Sequence, residues 1–206
     1  MDILELTVGP VQTNCYIASG EGSTSCVVID PGEEPDKIAE YIKKREMKCE
    51  GILLTHGHFD HITGVEGLVS LTGASIYAYE GERDLMMSAA QNGCTMMGYS
   101  VTVQPDILLK DGQQFRLAGL EFEVIHTPGH TIGSCCYYVK KDAVLFSGDT
   151  VFMESVGRTD FPTGSSRQLM ESIREKVFVL PENVKIYPGH GPETSVGYEK
   201  QYNPFA

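Results

Sequence analysis

No stretch of this sequence approaches the run of about 20 apolar residues that a bilayer-spanning helix needs, so no membrane partner is expected. The opening Met1-Asp2-Ile3-Leu4-Glu5 has neither the basic segment nor the apolar stretch of a secretory leader. Basic residues are scarce: 16 Lys and Arg stand against 28 Asp and Glu, a net charge of −12. Affinity for a nucleic acid depends on neutralising its phosphates with cations, so no nucleic-acid partner is expected either. Six cysteines, at positions 15, 26, 49, 94, 135 and 136, include no Cys-x-x-Cys pair and no framework spacing. They read as buried, reduced thiols, and with the missing leader they point to the cytoplasm. These absences leave a small-molecule partner and a monomer or small homo-oligomer as the expectation.

What is present is ordinary globular material, with 41% hydrophobic and 21% charged residues, enough for one core in a single domain over 1–206. Short runs rich in β-branched and aromatic residues predict strands at 3–8, 14–18 and 26–30, with Gly20-Glu21-Gly22 turning a hairpin. Pro35 opens a helix to about Glu46, carrying an apolar stripe of Ile38, Tyr41 and Ile42. A fully apolar strand follows at 51–55, then a helix at 60–71, a strand at 74–79 and a helix at 82–90. Segment 93–105 shows no period and reads as a loop flanking a site. Strands at 114–117, 120–126, 134–139 and 143–147, a helix at 166–177 and a strand at 184–187 complete the second half. Two β-rich halves, each with its helices, predict an α/β (α+β) chain folded as a four-layer αββα sandwich.

Chemistry-bearing side chains collect where the apolar strands end. Thr55-His56-Gly57-His58-Phe59-Asp60-His61 leaves one strand and opens a helix. In extended backbone, residues two apart face the same way, so His56, His58 and Asp60 can share a cavity while His61 turns aside on the first helical turn. Small Gly57 frees the backbone to bend between two imidazoles. His130 in Pro128-Gly129-His130, Asp149 in Gly148-Asp149-Thr150 and His190 in Pro188-Gly189-His190 repeat the pattern of a ligand-type residue on a glycine turn after a strand. Five of the six histidines and two Asp in that one setting predict a metal cluster on loops held by a rigid scaffold. The sixth, His126, reads as a strand residue or a support for the ligands. Imidazole with carboxylate suits zinc foremost, or iron or manganese. The expected division places His56, His58 and His130 on one divalent ion and Asp60, His61 and His190 on another, bridged by Asp149. An open position on each ion marks a catalytic site.

On these residues the sequence resembles the metallo-β-lactamase superfamily, through the HxHxDH motif of His56 to His61 and the later His130, Asp149 and His190. It is more closely similar to small bacterial members of the glyoxalase II (hydroxyacylglutathione hydrolase) group. That likeness rests on Phe146-Ser147-Gly148-Asp149-Thr150-Val151-Phe152, on Ser155 to Pro162, and on Tyr187-Pro188-Gly189-His190-Gly191-Pro192. The resemblance implies an αββα fold, a two-metal site and hydrolysis of thioesters such as S-lactoylglutathione by a metal-bridging hydroxide. Asp60 then has a catalytic part, accepting a hydrogen bond from the nucleophile besides binding metal. The C-terminal helical domain with which full-length glyoxalase II binds glutathione is not expected here, since sixteen residues follow His190.

Arg158 is a candidate for holding a substrate carboxylate through paired hydrogen bonds, or for an ion pair with nearby Asp160. Two rival readings stand beside the hydrolase. Persulfide dioxygenases look similar at Gly157-Arg158-Thr159-Asp160-Phe161, and there His56, His130 and Asp149 would form a mononuclear iron triad. A non-catalytic metal-binding member of the same fold is the other.

Overall fold

A computed structural model describes residues 1–205. The chain starts as an antiparallel meander of β1 (Asp2–Val8), β2 (Thr13–Ser19) and β3 (Ser25–Ile29). It then changes to parallel crossovers. Helix α1 (Pro35–Lys44) leads to β4 (Lys48–Leu54), which lies parallel to β3. Pro35 sits in its first turn with Asp36, and Lys43 and Lys44 close its last turn, so both ends match the helix dipole.

Two short helices follow where one was expected: α2 (Phe59–Ile62) and α3 (Val65–Thr72). The break is tertiary in origin, because Gly64 N donates to the carbonyls of Pro31 (3.1 Å) and Gly32 (2.8 Å). Next come β5 (Ser75–Tyr79), parallel to β4, and α4 (Arg83–Met86). The helix expected over 82–90 stops at Met86 because the Met86 carbonyl accepts from Val103 N (3.1 Å) and Asn92 Nδ2 (3.4 Å) instead of from a further turn. Strand β6 (Ile107–Leu109), which had no signal strong enough to read, closes the first sheet parallel to β5.

The second sheet is built from β7 (Gln114–Leu117), β8 (Leu120–His126), β9 (Cys135–Val139) and β10 (Val144–Gly148) as an antiparallel meander. A small hairpin, β11 (Val151–Phe152) with β12 (Ser155–Val156), leads to α5 (Ser166–Ser172), which runs on as a π-helical turn to Val177. Strand β13 (Lys185–Pro188) returns parallel to β10, and β14 (Thr194–Ser195) pairs antiparallel with β13. The chain then enters α6 (Val196–Tyr202), whose Ser195 cap accepts from Tyr198 N (3.2 Å). The hairpin, β14 and α6 were not foreseen.

Strand orders are β1-β2-β3-β4-β5-β6 and β14-β13-β10-β9-β8-β7. Period-two alternation decides what each sheet buries. In β9, Cys135, Tyr137 and Val139 enter the cluster between the sheets with Tyr16, Ile29, Leu53, Phe122 and Phe146, while Cys136 and Tyr138 face outward. There they meet Leu169 and Ile173 on and after α5, and Val196 on α6. On the other flank Ile38, Ile42, Val65 and Leu68 of α1 and α3 cover Val28, Ile52 and Leu54. The result is the expected αββα sandwich. All six cysteines are buried and free, and no helix among the described residues is long and apolar enough to cross a membrane.

Phe122 lies wholly buried between the sheets, whereas Leu71 is 53% exposed at the end of α3. Chemical denaturation should show Phe122→Ala losing about 3–5 kcal/mol and Leu71→Ala changing by no more than about 0.5 kcal/mol. Equal losses would mean that the inter-sheet layer is not what holds the fold.

Candidate metal centre

All seven expected residues meet at one edge of the sandwich, each just beyond a strand end or on α2. Thr55 to His58 follow β4, His130 lies on the loop after β8, Asp149 follows β10 and His190 follows β13. Asp60 and His61 stand on the short α2. His56 Nε2 lies 3.2 Å from His130 Nε2, and His58 Nδ1 lies 2.7 Å from the same atom. The ligand atoms of His56, His58 and His130 fall within 4.8 Å of one another, as do those of Asp60, His61 and His190. Asp149 stands between the two triads. Its Oδ1 is 3.4 Å from His61 Nε2, and its Oδ2 is 3.5 Å from His130 Nε2 and 3.7 Å from His190 Nε2.

The back edges of three rings show which nitrogen is free. Arg158 O accepts at 2.7 Å from His130 Nδ1, which therefore carries hydrogen and leaves Nε2 bare. Thr55 Oγ1 donates to Asp30 Oδ2 (2.6 Å), so it accepts from His56 Nδ1 (3.1 Å), which again frees Nε2. His61 Nδ1 donates to Asp30 Oδ2 at 3.0 Å, aiming its Nε2 at Asp60 and Asp149. The edge of Phe161 stands against the His58 ring, 5.4 Å between centroids.

This arrangement fits divalent cations. In the first triad the bare Nε2 atoms of His56 and His130 face each other at 3.2 Å, where lone pairs repel unless a cation lies between them. Burial, reinforced by neighbouring imidazoles, holds His56 well below the usual histidine range, and burial takes His58 down to about 3. Burial lowers His130 too. All three are thus neutral, the form that binds metal. Near the second triad burial opposes charge, yet Asp60, Asp149 and Asp30 outweigh it and hold His61 well above the usual range. Burial likewise works against Asp149, but His61, His130 and His56 hold its carboxyl well below the ordinary value. A cation there would take over the role of the protons. His58 Nε2, His61 Nε2 and Asp149 Oδ1 are buried without hydrogen-bond partners, and the last two face each other at 3.4 Å between the triads, as atoms reserved for an ion would.

Two important residues were missed. Asp30 follows β3 in Asp30-Pro31-Gly32, the same strand-end glycine turn as the ligands, so the pattern could have found it. Its oxygens accept from Thr55 N (2.8 Å), Thr55 Oγ1 and His61 Nδ1. Glu82, at the foot of α4, gave no signal. It is buried, with Oε1 accepting from Gly57 N (2.9 Å) and Oε2 from Gly133 N (2.8 Å), so one carboxylate ties the loop of His56 and His58 to that of His130. Burial pushes it up to about 7 against the pull of those donors.

One reading needs correction. Gly57 does not serve as a bend: its φ is not left-handed, and a Cβ there would lie 2.6 Å from Met86 Cγ and 2.8 Å from Leu85 Cδ2. It is required for close packing against α4. His126 is the strand residue expected, the last of β8; it stacks on Tyr79 at 4.3 Å, its Nε2 donates to Ile132 O (2.9 Å), and it bonds to no ligand. Arg158 lines the cavity above the cluster. Its Nε and Nη2 pair with Asp160 at 2.7 and 2.8 Å, and the guanidinium lies 3.8 Å from the Phe161 ring centroid.

Exchanging one oxygen of either holder for an amide sets a donor against a donor. Glu82→Gln should weaken binding at the first triad, and Asp30→Asn at the second, by about 10- to 100-fold each, read by metal titration of the folded protein. Unchanged affinity in both would reduce these carboxylates to parts of the scaffold.

The "Metallo-beta-lactamase superfamily" profile matches residues 8–190. A Bacillus subtilis protein described as a probable metallo-hydrolase, YqgX, is 38% identical, with 97% of this chain and 95% of that protein covered. Hydroxyacylglutathione hydrolase GloC of Haemophilus influenzae is 32% identical over 100% and 98% of the two chains. Among solved structures, BLEG-1 B3 metallo-β-lactamase superposes with a TM-score of 0.94 at 37% identity, covering 99% of each chain. TTHA1623 in a di-iron-bound form gives 0.86 at 35%, covering 98% and 100%. With that match along nearly its whole length and a His/Asp cluster built for metal, the chain belongs to the metallo-β-lactamase superfamily of metallo-hydrolases.

Proposed function

We propose that this protein hydrolyses thioesters of small acyl-thiols, S-lactoylglutathione among them, with two divalent metal ions, zinc foremost. His56, His58 and His130 would hold one ion and Asp60, His61 and His190 the other, with the Asp149 carboxylate available to both. The observation that carries the two-metal reading is the position of Asp149, with an oxygen within 3.7 Å of a histidine in each triad. The relative described as a hydroxyacylglutathione hydrolase supports the thioester. The di-iron form of a 35% identical neighbour supports two ions and keeps iron as the alternative metal.

Two such ions supply a hydroxide nucleophile at neutral pH and positive charge for the carbonyl oxygen. The rest is the work of side chains. Asp60 lines the cavity with Thr13 Oγ1 donating to its Oδ2 at 3.1 Å, and we assign its carboxylate to hold the proton of the attacking water. Water adds to the thioester carbon, the carbon–sulfur bond breaks, and a carboxylate and a thiol leave. A thiol has a pKa of about 8.5, so the sulfur departs without a dedicated acid. Arg158 is assigned to a substrate carboxylate through Nη1, the nitrogen that Asp160 does not engage.

Metal content and turnover of S-lactoylglutathione, measured on the same preparation, test this reading. Near two metals per chain with thioester turnover is the expected result. A β-lactam belongs in the same assay, since a 37% identical neighbour is described as a B3 metallo-β-lactamase. One iron per chain with oxygen uptake on a persulfide, and no thioester turnover, would replace the hydrolase with a dioxygenase. Asp149→Ala should disrupt both metal positions. His58→Ala should cut kcat by at least about 100-fold, the scale of losing one electrostatic group in an active site; full activity with one metal left would refute the dinuclear mechanism.

A further inference from the structure

The cluster opens into a cavity of about 540 Å³ whose walls are chemically unlike its floor. Above the histidines and carboxylates stand Phe59, Met96, Met97, Phe152 and Phe161. Among the described residues lining it, Arg158 is the one Lys or Arg, and Asp160 already pairs with it.

The methionines are presented by a built element. Cys94–Met97 form a tight helical turn flanked by Gly93 (φ 84°) and Gly98 (φ 79°), both left-handed, where a side chain would be strained. Buried Asn92 pins its base: Oδ1 accepts from Cys94 N at 2.9 Å, and Nδ2 donates to Val101 O at 3.0 Å. Asn92 O accepts from Phe59 N at 2.8 Å, which fastens the turn to α2 and so to Asp60 and His61. On this anchored base Met96 is left 72% and Met97 46% exposed. Exposed apolar side chains gathered beside a polar reaction centre mark a surface that a ligand covers, and methionine adapts its shape to what covers it.

Resting on the thioesterase reading, we propose that the substrate's acyl arm is uncharged and apolar, an alkyl chain of several carbons or an aryl group, and that it packs on Met96, Met97 and Phe152. Thiol carriers bear their charges on carboxylates or phosphates, and Arg158 is the group that can meet one such charge. The apolar wall is therefore left for the acyl arm. A chain of net charge −12 whose one Lys or Arg side chain in the cavity is already paired also offers little, away from the metal cluster, to a polyanionic carrier.

The test uses thioesters of one neutral carrier, N-acetylcysteamine, with lactoyl, acetyl, butyryl, hexanoyl and benzoyl groups, on the metal-loaded protein. Each methylene added between acetyl and hexanoyl should raise kcat/KM by about two- to fourfold, and benzoyl should exceed lactoyl. In M96S/M97S the hexanoyl-to-acetyl ratio should collapse to within about threefold. The matching amides, which are not hydrolysed, give a second readout by calorimetry, where Kd should tighten along the same series. Turnover that is flat or falling with chain length, together with a flat amide series, overturns the apolar-arm proposal and leaves the hydrolase standing. No turnover of any thioester, with the amide trend present and lost in M96S/M97S, overturns the thioesterase reading and upholds the acyl wall.

Discussion

Holding several bare nitrogens and carboxylate oxygens against one another in a buried space is the constraint on which the rest of this structure depends. His56 and His130 point lone pairs at a common volume that His58 also faces, and without a fixed back edge their rings would rotate to relieve the repulsion. The fold therefore ties the far side of three of the five imidazoles. Arg158 gives a backbone carbonyl to His130, Thr55 a hydroxyl oxygen to His56, and Asp30 a carboxylate to His61. Asp30 is itself held by two donors from Thr55, one of them the backbone.

The same constraint explains how the two sheets meet. Ligands come from both, so the sheets must be registered at one edge, and apolar contact alone, being non-directional, does not set register. Polar bonds do. Tyr137 OH donates to Leu54 O at 2.8 Å and Cys135 N to Thr55 O at 2.9 Å, joining β9 to the segment that carries His56. From the other direction Tyr16 OH donates to Pro188 O at 2.6 Å, and Asn14 Nδ2 reaches both Pro188 O and Gly191 O around His190. Gly189 makes the last approach possible: a Cβ on it would overlap Asp149 Oδ1 and lie 2.7 Å from His61 Cε1. Core packing supplies the stability, and a few crossing hydrogen bonds supply the alignment.

Much of this could be read from the sequence, for reasons specific to particular residues. The strand-end histidines and aspartates were legible because short apolar runs followed by glycine turns are local patterns. Asp60 and His61 were legible because they sit in the same segment as His56 and His58. The sandwich followed from the division of apolar strands into two halves. Glu82 was not legible, since its partners Gly57 and Gly133 lie 25 and 51 residues away and are backbone groups with no sequence signature. The end of α4 at Met86 and the break between α2 and α3 were hidden for the same reason: each is made by hydrogen bonds to distant loops. The purpose of Gly57 was misread because a close approach by Met86 is a tertiary fact. Local pattern revealed what each segment does alone, and was silent wherever one segment ends because another arrives.

That division bears on how the site separates its chemistry from its choice of substrate. The cluster rests on strands and on holders that each serve more than one ligand or loop, so altering one of them disturbs several atoms at once. The methionine turn is different. It lies between β5 and β6, adds no strand to either sheet, and is fastened to the ligand-bearing part through Asn92 and Phe59. Its exposed tip can change side chains without moving a ligand, because nothing in the metal cluster takes a hydrogen bond from Met96 or Met97. Arg158 stands at the opposite extreme, since its own backbone carbonyl orients His130 while its side chain reaches the cavity. A change of that side chain can alter recognition and leave the carbonyl in place, but any shift of its backbone moves a ligand. Substrate preference is therefore free to vary at the wall formed by the methionine turn and is restrained at the wall formed by Arg158. Both walls can be probed while the arrangement of His56, His58, Asp60, His61, His130, Asp149 and His190 is kept intact.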